Sequence, residues 1–178
     1  KAFEIVMTEK EILDLSVQAS KNSGVTITGA LDDTAACFLG GLVVTNNSSN
    51  ELLSRVIVDD DYSILIHVPD HKSYTKDVNY SGSDEFIHSL DTLISMTLEG
   101  NYLSAMSLNG MIYSRILKQS NESAILALRN NALAAGLSGT GPSVGVICLS
   151  ENKSSILDSW KNLDGDIITA KINNEKGL

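Results

Sequence analysis

Basic residues are the first scarcity: 13 Lys and Arg stand against 22 Asp and Glu in 178 residues, a net charge of −9. With no basic patch to displace counterions from phosphates, nucleic acid is not an expected partner. Long apolar runs are missing too. None approaches the roughly 18 residues that a membrane helix needs, and no signal-peptide pattern opens the chain. The expected location is therefore cytoplasmic, with no membrane partner. Cysteine is down to two, Cys37 and Cys148; both sit among apolar neighbours without CxxC spacing and read as reduced core thiols. Metal-ligand spacing is lacking as well. His67 and His71 are four apart, but Pro69 lies between them, so they cannot share a helical face. His88 lies on or beside the apolar side of a predicted helix and has no partner set. No metal site is expected, and Asp59-Asp60-Asp61 reads as a solvated turn.

What is present is an ordinary globular composition, 43% hydrophobic and 20% charged, with length for one domain or one domain and part of another. Residues 9–22 place Ile12, Leu15 and Ala19 on one helical face, with Gly24 as a stop signal. A small-residue segment follows over 29–39 and closes on Gly40-Gly41. Strands are expected at 42–45, 52–59 and 62–68, where β-branched and apolar residues concentrate. A polar turn, NNSSN, separates the first two, and the short acidic interval between the last two suits a hairpin. A helix is predicted over 83–99 from Phe86, Ile87, Leu90, Leu93, Ile94 and Leu98, with Ser83 and Asp84 as its capping chemistry. Further helices are predicted at 102–118 and 122–133, then a glycine loop, a strand at 143–149, a helix at 153–162 and a strand at 166–172. Strands interleaved with helices in this order mean an α+β or α/β fold.

Three segments have the residues for chemistry. In Gly136-Leu137-Ser138-Gly139-Thr140-Gly141-Pro142, backbone N–H groups unobstructed by Cβ atoms can converge on an anion, and two hydroxyls stand beside them. No GK[ST] follows, and the order helix–loop–strand reverses the dinucleotide fingerprint. A tight helix-to-strand connection and a phosphate or substrate loop both fit the local chemistry. The second segment is Thr26 to Asp33. Asp32 and Asp33 could supply a general base or meet magnesium, but adjacent helical positions diverge by about 100°, so one would face a site while the other caps the helix or orients the first. A helix start capped by acidic side chains fits equally. The third is Tyr74-Thr75-Lys76-Asp77, where a loop lysine could meet phosphate or a carboxylate, or lie solvated at the surface.

In combination and order these segments resemble the GHMP kinase superfamily. AGLSGTGPSVGV matches its glycine-rich pattern G-[LF]-S-G-[ST]-G-P ahead of a strand, and Asp33 stands seven before Gly40-Gly41, as an acid or asparagine does in that family. ITGALDDTAACFLGGLVVTNN, YTKDV, LEGNYLSAMSLNGMIYS and ALAAGLSGTGP resemble the archaeal-type shikimate kinases in particular, from about residue 9 to Asn173-Asn174. The resemblance implies a two-domain α+β fold: a partial N-terminal domain at 1–60 and a ferredoxin-like C-terminal domain at 61–178. It implies ATP-dependent phosphorylation of shikimate to shikimate 3-phosphate, in chorismate and aromatic amino-acid biosynthesis. Asp33 would accept or orient the proton of the attacking hydroxyl. Thr28 and Asp32 would bind the polyol, and Thr75 with Lys76 would meet the substrate carboxylate. The loop, through Gly136, Ser138, Gly139, Thr140 and Gly141, would line the cleft where the phosphoryl group moves.

The family's serine- and glycine-rich phosphate motif, P-x-x-x-G-L-G-S-S-A-like, has no counterpart here. ATP and Mg2+ are accordingly expected to be bound mainly by residues outside this chain, and the chain is expected to be a C-terminal portion that is inactive alone. Homoserine or mevalonate kinase, or a non-catalytic ligand-binding remnant, stand as alternatives.

Overall fold

The computed structural model describes residues 6–26, 29–73 and 86–177. They form two compact units. The first takes in residues 1–58 and 173–178, and the second residues 59–172. The sequence division at 60/61 leaves residues 173–178 with the second unit; in the structure they return to the first.

The first unit holds two helices and a hairpin. Helix α1, Glu9–Asn22, opens on a capping box in which Thr8 and Glu11 satisfy each other's backbone N–H groups. Helix α2 is Leu31–Leu39, β1 is Leu42–Asn46 and β2 is Glu51–Val56, with β1 and β2 antiparallel. Its core is Leu13 and Val17 of α1 against Leu31, Ala35 and Leu39 of α2. The predicted face of Ile12, Leu15 and Ala19 is not the buried one, and Leu15 is 53% exposed. Apolar residues at 12, 13, 15 and 17 cover more than one side of the helix, and contact with α2 selects the 13/17 stripe. Cys37 is exposed, contrary to its expected place in the core, because the packed stripe of α2 runs through 31, 35 and 39.

The second unit is a four-stranded antiparallel sheet with order β4-β5-β3-β6: β3 is Tyr62–Val68, β4 Ala134–Leu137, β5 Val144–Leu149 and β6 Asp166–Lys171. Helices α3 (Ile87–Leu98), α4 (Tyr102–Leu117) and α5 (Glu122–Arg129) lie between β3 and β4 in the chain, and α6 (Lys153–Ser159) between β5 and β6. Alternate residues Val144, Val146 and Cys148 of β5 join Leu65, Ala124, Ala127, Ala135, Ile156 and Trp160 in one core. Trp160 donates from Nε1 to the Ser123 carbonyl at 2.9 Å. Burying an indole of about 200 Å2 contributes roughly 5 kcal/mol. His67 is buried beside it, ring centroids 5.6 Å apart, and its Nε2 donates to the Asp164 carbonyl at 2.7 Å. His67 is thus a core residue of the central strand.

Two expected connections differ. The acidic interval 59–61 does not join a hairpin: β2 pairs with β1, β3 pairs with β5 and β6, and the interval is where one unit gives way to the other. The helix expected at 122–133 ends at Arg129, and the start of the glycine segment belongs to a strand the sequence did not suggest, β4 at Ala134–Leu137, which forms a hairpin with β5. Ser83 and Asp84 lie outside the described residues.

Candidate functional site

The acidic pair occupies the first turn of α2. The N-cap there is Ala30, in the left-handed conformation at φ 52° and ψ 48°, with no side-chain cap hydrogen bond. Both aspartates sit in the first helical turn, where their charge suits the helix N-terminus, without a side-chain cap at Ala30. Asp32 Oδ1 accepts from Asn47 Nδ2 at 2.7 Å, and Asn47 Oδ1 accepts from Thr45 Oγ1 at 2.9 Å. Asp33 is exposed, yet the protein around its carboxyl removes water from it, and the Asp32 charge adds repulsion; both push its pKa above the ordinary value. A carboxylate with raised proton affinity is a better proton acceptor. The two acids therefore have different surroundings, as their angular separation on the helix predicts.

The glycine segment belongs to the second unit and divides into two parts. Gly136 is an interior residue of β4, buried where α4 crosses the strand. A Cβ on Gly110 of α4 would stand 2.4 Å from the Gly136 Cα. Gly136 thus serves helix–strand approach rather than the loop itself. Residues 138–143 are the hairpin turn, closed by Ser138 N–H to the Ser143 carbonyl at 2.8 Å and Gly141 N–H to the Ser138 carbonyl at 2.9 Å. Gly139 and Gly141 have φ of 56° and 76°, a region that L side chains enter at a cost. Around Gly139 the place of a side chain is open space, whereas at Gly141 it is taken by Leu137 and Gln119. Ser138 and Gly139 are exposed and Thr140 is half-buried. Such a turn can present backbone and hydroxyl groups to an anion.

Thr28, Thr75 and Lys76 lie outside the described residues. Two residues join the picture that the sequence reading passes over. Asn47 falls in a segment that reads only as a polar turn. Gln119 follows α4, donates from Nε2 to Ser73 Oγ at 3.2 Å and to the Thr140 carbonyl at 3.5 Å, and packs under Gly141. The i+5 bond from Gln119 N–H to the Ser114 carbonyl fixes where it stands. Neither has a local signature; a long-range partner defines each. Among the described residues no group of three His, Cys, Asp or Glu could hold a metal ion, and no helix is long and apolar enough to cross a membrane.

Residues 90–164, from within α3 to just before β6, match the family model described as GHMP kinases C terminal. The chain is 37% identical over 95% of its length to shikimate kinase of Methanothermobacter thermautotrophicus, of which it covers 58%. It is 38% identical over 90% of its length to shikimate kinase of Methanothrix thermoacetophila, of which it covers 55%. The chain thus spans little more than half the length of these relatives. In fold it is similar to mevalonate kinase of Methanococcus jannaschii, with a TM-score of 0.69 and 16% identity over 97% of this chain and 59% of that one. Homoserine kinase of Cytophaga hutchinsonii gives a TM-score of 0.68 at 18% identity, over 97% of this chain and 61% of that one. The α+β architecture is that of these kinases. The glycine hairpin lies inside the stretch that matches the GHMP kinases C-terminal model, and the acidic turn inside the longer alignments to shikimate kinases.

Proposed function

We propose that the protein containing this chain is a shikimate kinase, transferring the γ-phosphoryl group of ATP to a hydroxyl of shikimate. The observation that carries the reading is identity of more than a third to shikimate kinases along at least nine-tenths of the chain, through both units. The fold neighbours are homoserine and mevalonate kinases at under a fifth identity, which supports the scaffold and leaves the substrate to the closer relatives.

Phosphoryl transfer asks a protein for positioning and charge neutralisation more than for covalent chemistry. When bound, ATP supplies the phosphoryl group, and magnesium offsets its charge. Asp33 accepts or orients the proton of the attacking hydroxyl, within about 2.6–3.2 Å of its oxygen in a reactive pose. Partial loss of water round its carboxyl, with the Asp32 charge beside it, raises its proton affinity toward that task. Asp32 and Thr28 hydrogen-bond the polyol, and Lys76 with Thr75 meets the substrate carboxylate. The exposed apex Ser138–Gly139, with open space at Gly139, fits an anion approaching the backbone. These roles rest on the residue types and on the family pattern.

The test is ADP release by the protein of the complete reading frame, with shikimate, homoserine and mevalonate in parallel. Release that depends on shikimate alone is expected. Release with another alcohol, or with none, overturns the substrate assignment.

A further inference from the structure

We infer that Asn47 is a positioning residue for the acidic turn, holding the Asp32 carboxylate in one orientation so that Asp32 meets a second hydroxyl of the alcohol while Asp33 meets the reacting one. This deepens the kinase reading above and rests on it. Its ground is a relay of three side chains within the first unit: Thr45 Oγ1 to Asn47 Oδ1 at 2.9 Å, then Asn47 Nδ2 to Asp32 Oδ1 at 2.7 Å.

The relay fixes which way the amide points. With its oxygen taken by the threonine hydroxyl, its nitrogen must face the carboxylate. Asn46, the neighbouring residue, does different work: its Oδ1 accepts from the backbone N–H groups of Ser48 and Ser49 at 3.0 and 3.2 Å, shaping the turn. The turn is therefore closed without Asn47, whose side chain reaches back fifteen residues in sequence to α2.

A neutral amide suits this task better than a cation. It donates a charge-assisted hydrogen bond and removes one rotational freedom of Asp32 without cancelling its charge. Among the described residues the ion pairs are Lys10–Asp14, Lys161–Asp158 and Lys176–Glu9, so no cation neutralises Asp32 there. A carboxylate has about four acceptor positions on two oxygens; one is engaged by Asn47, and Oδ2 retains acceptor capacity for a hydroxyl. The ligand class that uses both acids is an alcohol with at least one further hydroxyl, a polyol rather than a mono-alcohol.

The experiment is a double-mutant cycle in the protein of the complete reading frame, with kcat and KM measured for shikimate. Asn47→Ala should raise KM about tenfold, the scale of one charge-assisted hydrogen bond, with a smaller change in kcat and an unaltered melting temperature. Asn47→Asp should be worse than Asn47→Ala, because it sets a like charge against Asp32. In the Asp32→Ala background, Asn47→Ala should add nothing. An unchanged KM, or an equal effect with and without Asp32, overturns the inference while leaving the kinase reading standing. If the wild type turns over no alcohol, the kinase reading fails by itself. The relay is then judged by 15N NMR of the Asn47 side-chain amide, whose signals must move in Asp32→Ala; unmoved signals overturn the relay as well.

Discussion

The role proposed for Asp33 makes two demands that oppose each other. As a base it must be ionised, yet its surroundings favour the proton: loss of water round the carboxyl first, then the charge of Asp32. A group whose folded pKa lies above its unfolded value binds more protons in the folded state between the two values, so stability falls as pH rises through that window. The window opens near the ordinary carboxyl value of 3.8 and extends upward from it. Above it the ionised Asp33 is a standing cost to the fold. Asp33→Asn should therefore melt higher than the wild type at neutral pH, and the difference should shrink as pH falls to the lower end of the window. The same variant should lose about a hundredfold or more in kcat, the scale of a general base. A variant that keeps its activity, or that melts lower at neutral pH, would show Asp33 to be structural. The acidic pair can be placed in the sequence because two adjacent carboxylates open a small-residue helix and the family pattern marks Asp33, seven before Gly40-Gly41. Asn47 and Gln119 cannot be: an asparagine in a turn and a glutamine after a helix look alike wherever they point, until the partner from a distant segment is known.

At the scale of elements, the contact between α4 and β4 places the hairpin that follows the strand. Serine 107 bonds across it, its Oγ accepting from the Ala135 N–H at 3.1 Å and donating to the Leu103 carbonyl at 3.2 Å. One turn on, Gly110 meets Gly136. A glycine inside a helix costs about 1 kcal/mol relative to alanine, so propensity alone favours Gly110→Ala. Sterics oppose it by more: the added Cβ would lie 2.4 Å from the Gly136 Cα and 2.7 Å from the Leu137 nitrogen, both backbone atoms. At Gly136 the nearest atoms to an added Cβ are 3.0 Å and 3.2 Å away. Gly110→Ala should destabilise by roughly 2–3 kcal/mol and Gly136→Ala by about 1 kcal/mol, on the usual range for overpacking, read by urea denaturation. The reverse order would place the tight contact elsewhere. This contact also explains why β4 is hidden in the sequence. Ala-Ala-Gly-Leu has local helix propensity and no β-branched residue, and it is a strand because β5 pairs with it and α4 needs a small-residue surface to approach. β3 and β5, rich in Val, Ile and Leu, are legible because β-branched and apolar residues suit the pleated, part-buried face of a central strand.

At the scale of the whole molecule, the chain leaves the first unit after Val58 and re-enters it at Asn173. The re-entry is held by polar groups. The Asn174 side chain bonds both ways to the Val58 backbone, Val58 N–H to Oδ1 at 3.0 Å and Nδ2 to the Val58 carbonyl at 2.8 Å. Arg55 ties the same segment to α2's end, donating to the Gly40 carbonyl at 3.0 Å and the Asn174 carbonyl at 2.8 Å. The Gly41 N–H meets the Asn173 carbonyl at 2.7 Å, and the Gly177 N–H the Phe38 carbonyl at 2.6 Å. No hydrophobic period marks this segment, which is why the sequence division left it with the second unit: an asparagine pair after a strand has no preference that betrays a partner 116 positions earlier. Asn174→Ala strips both backbone groups of Val58 of their partner, at a cost of about 1–3 kcal/mol. Because those bonds lie within the first unit, the loss should be local. Amide exchange should quicken at Gly41, Val58 and Gly177, whereas the paired amides of β3 and β5 keep their protection. Uniform acceleration through the β3–β5 ladder would mean that the two units unfold as one, and unchanged exchange at Gly41 and Gly177 would mean that Arg55 and the backbone bonds suffice to hold the returning segment.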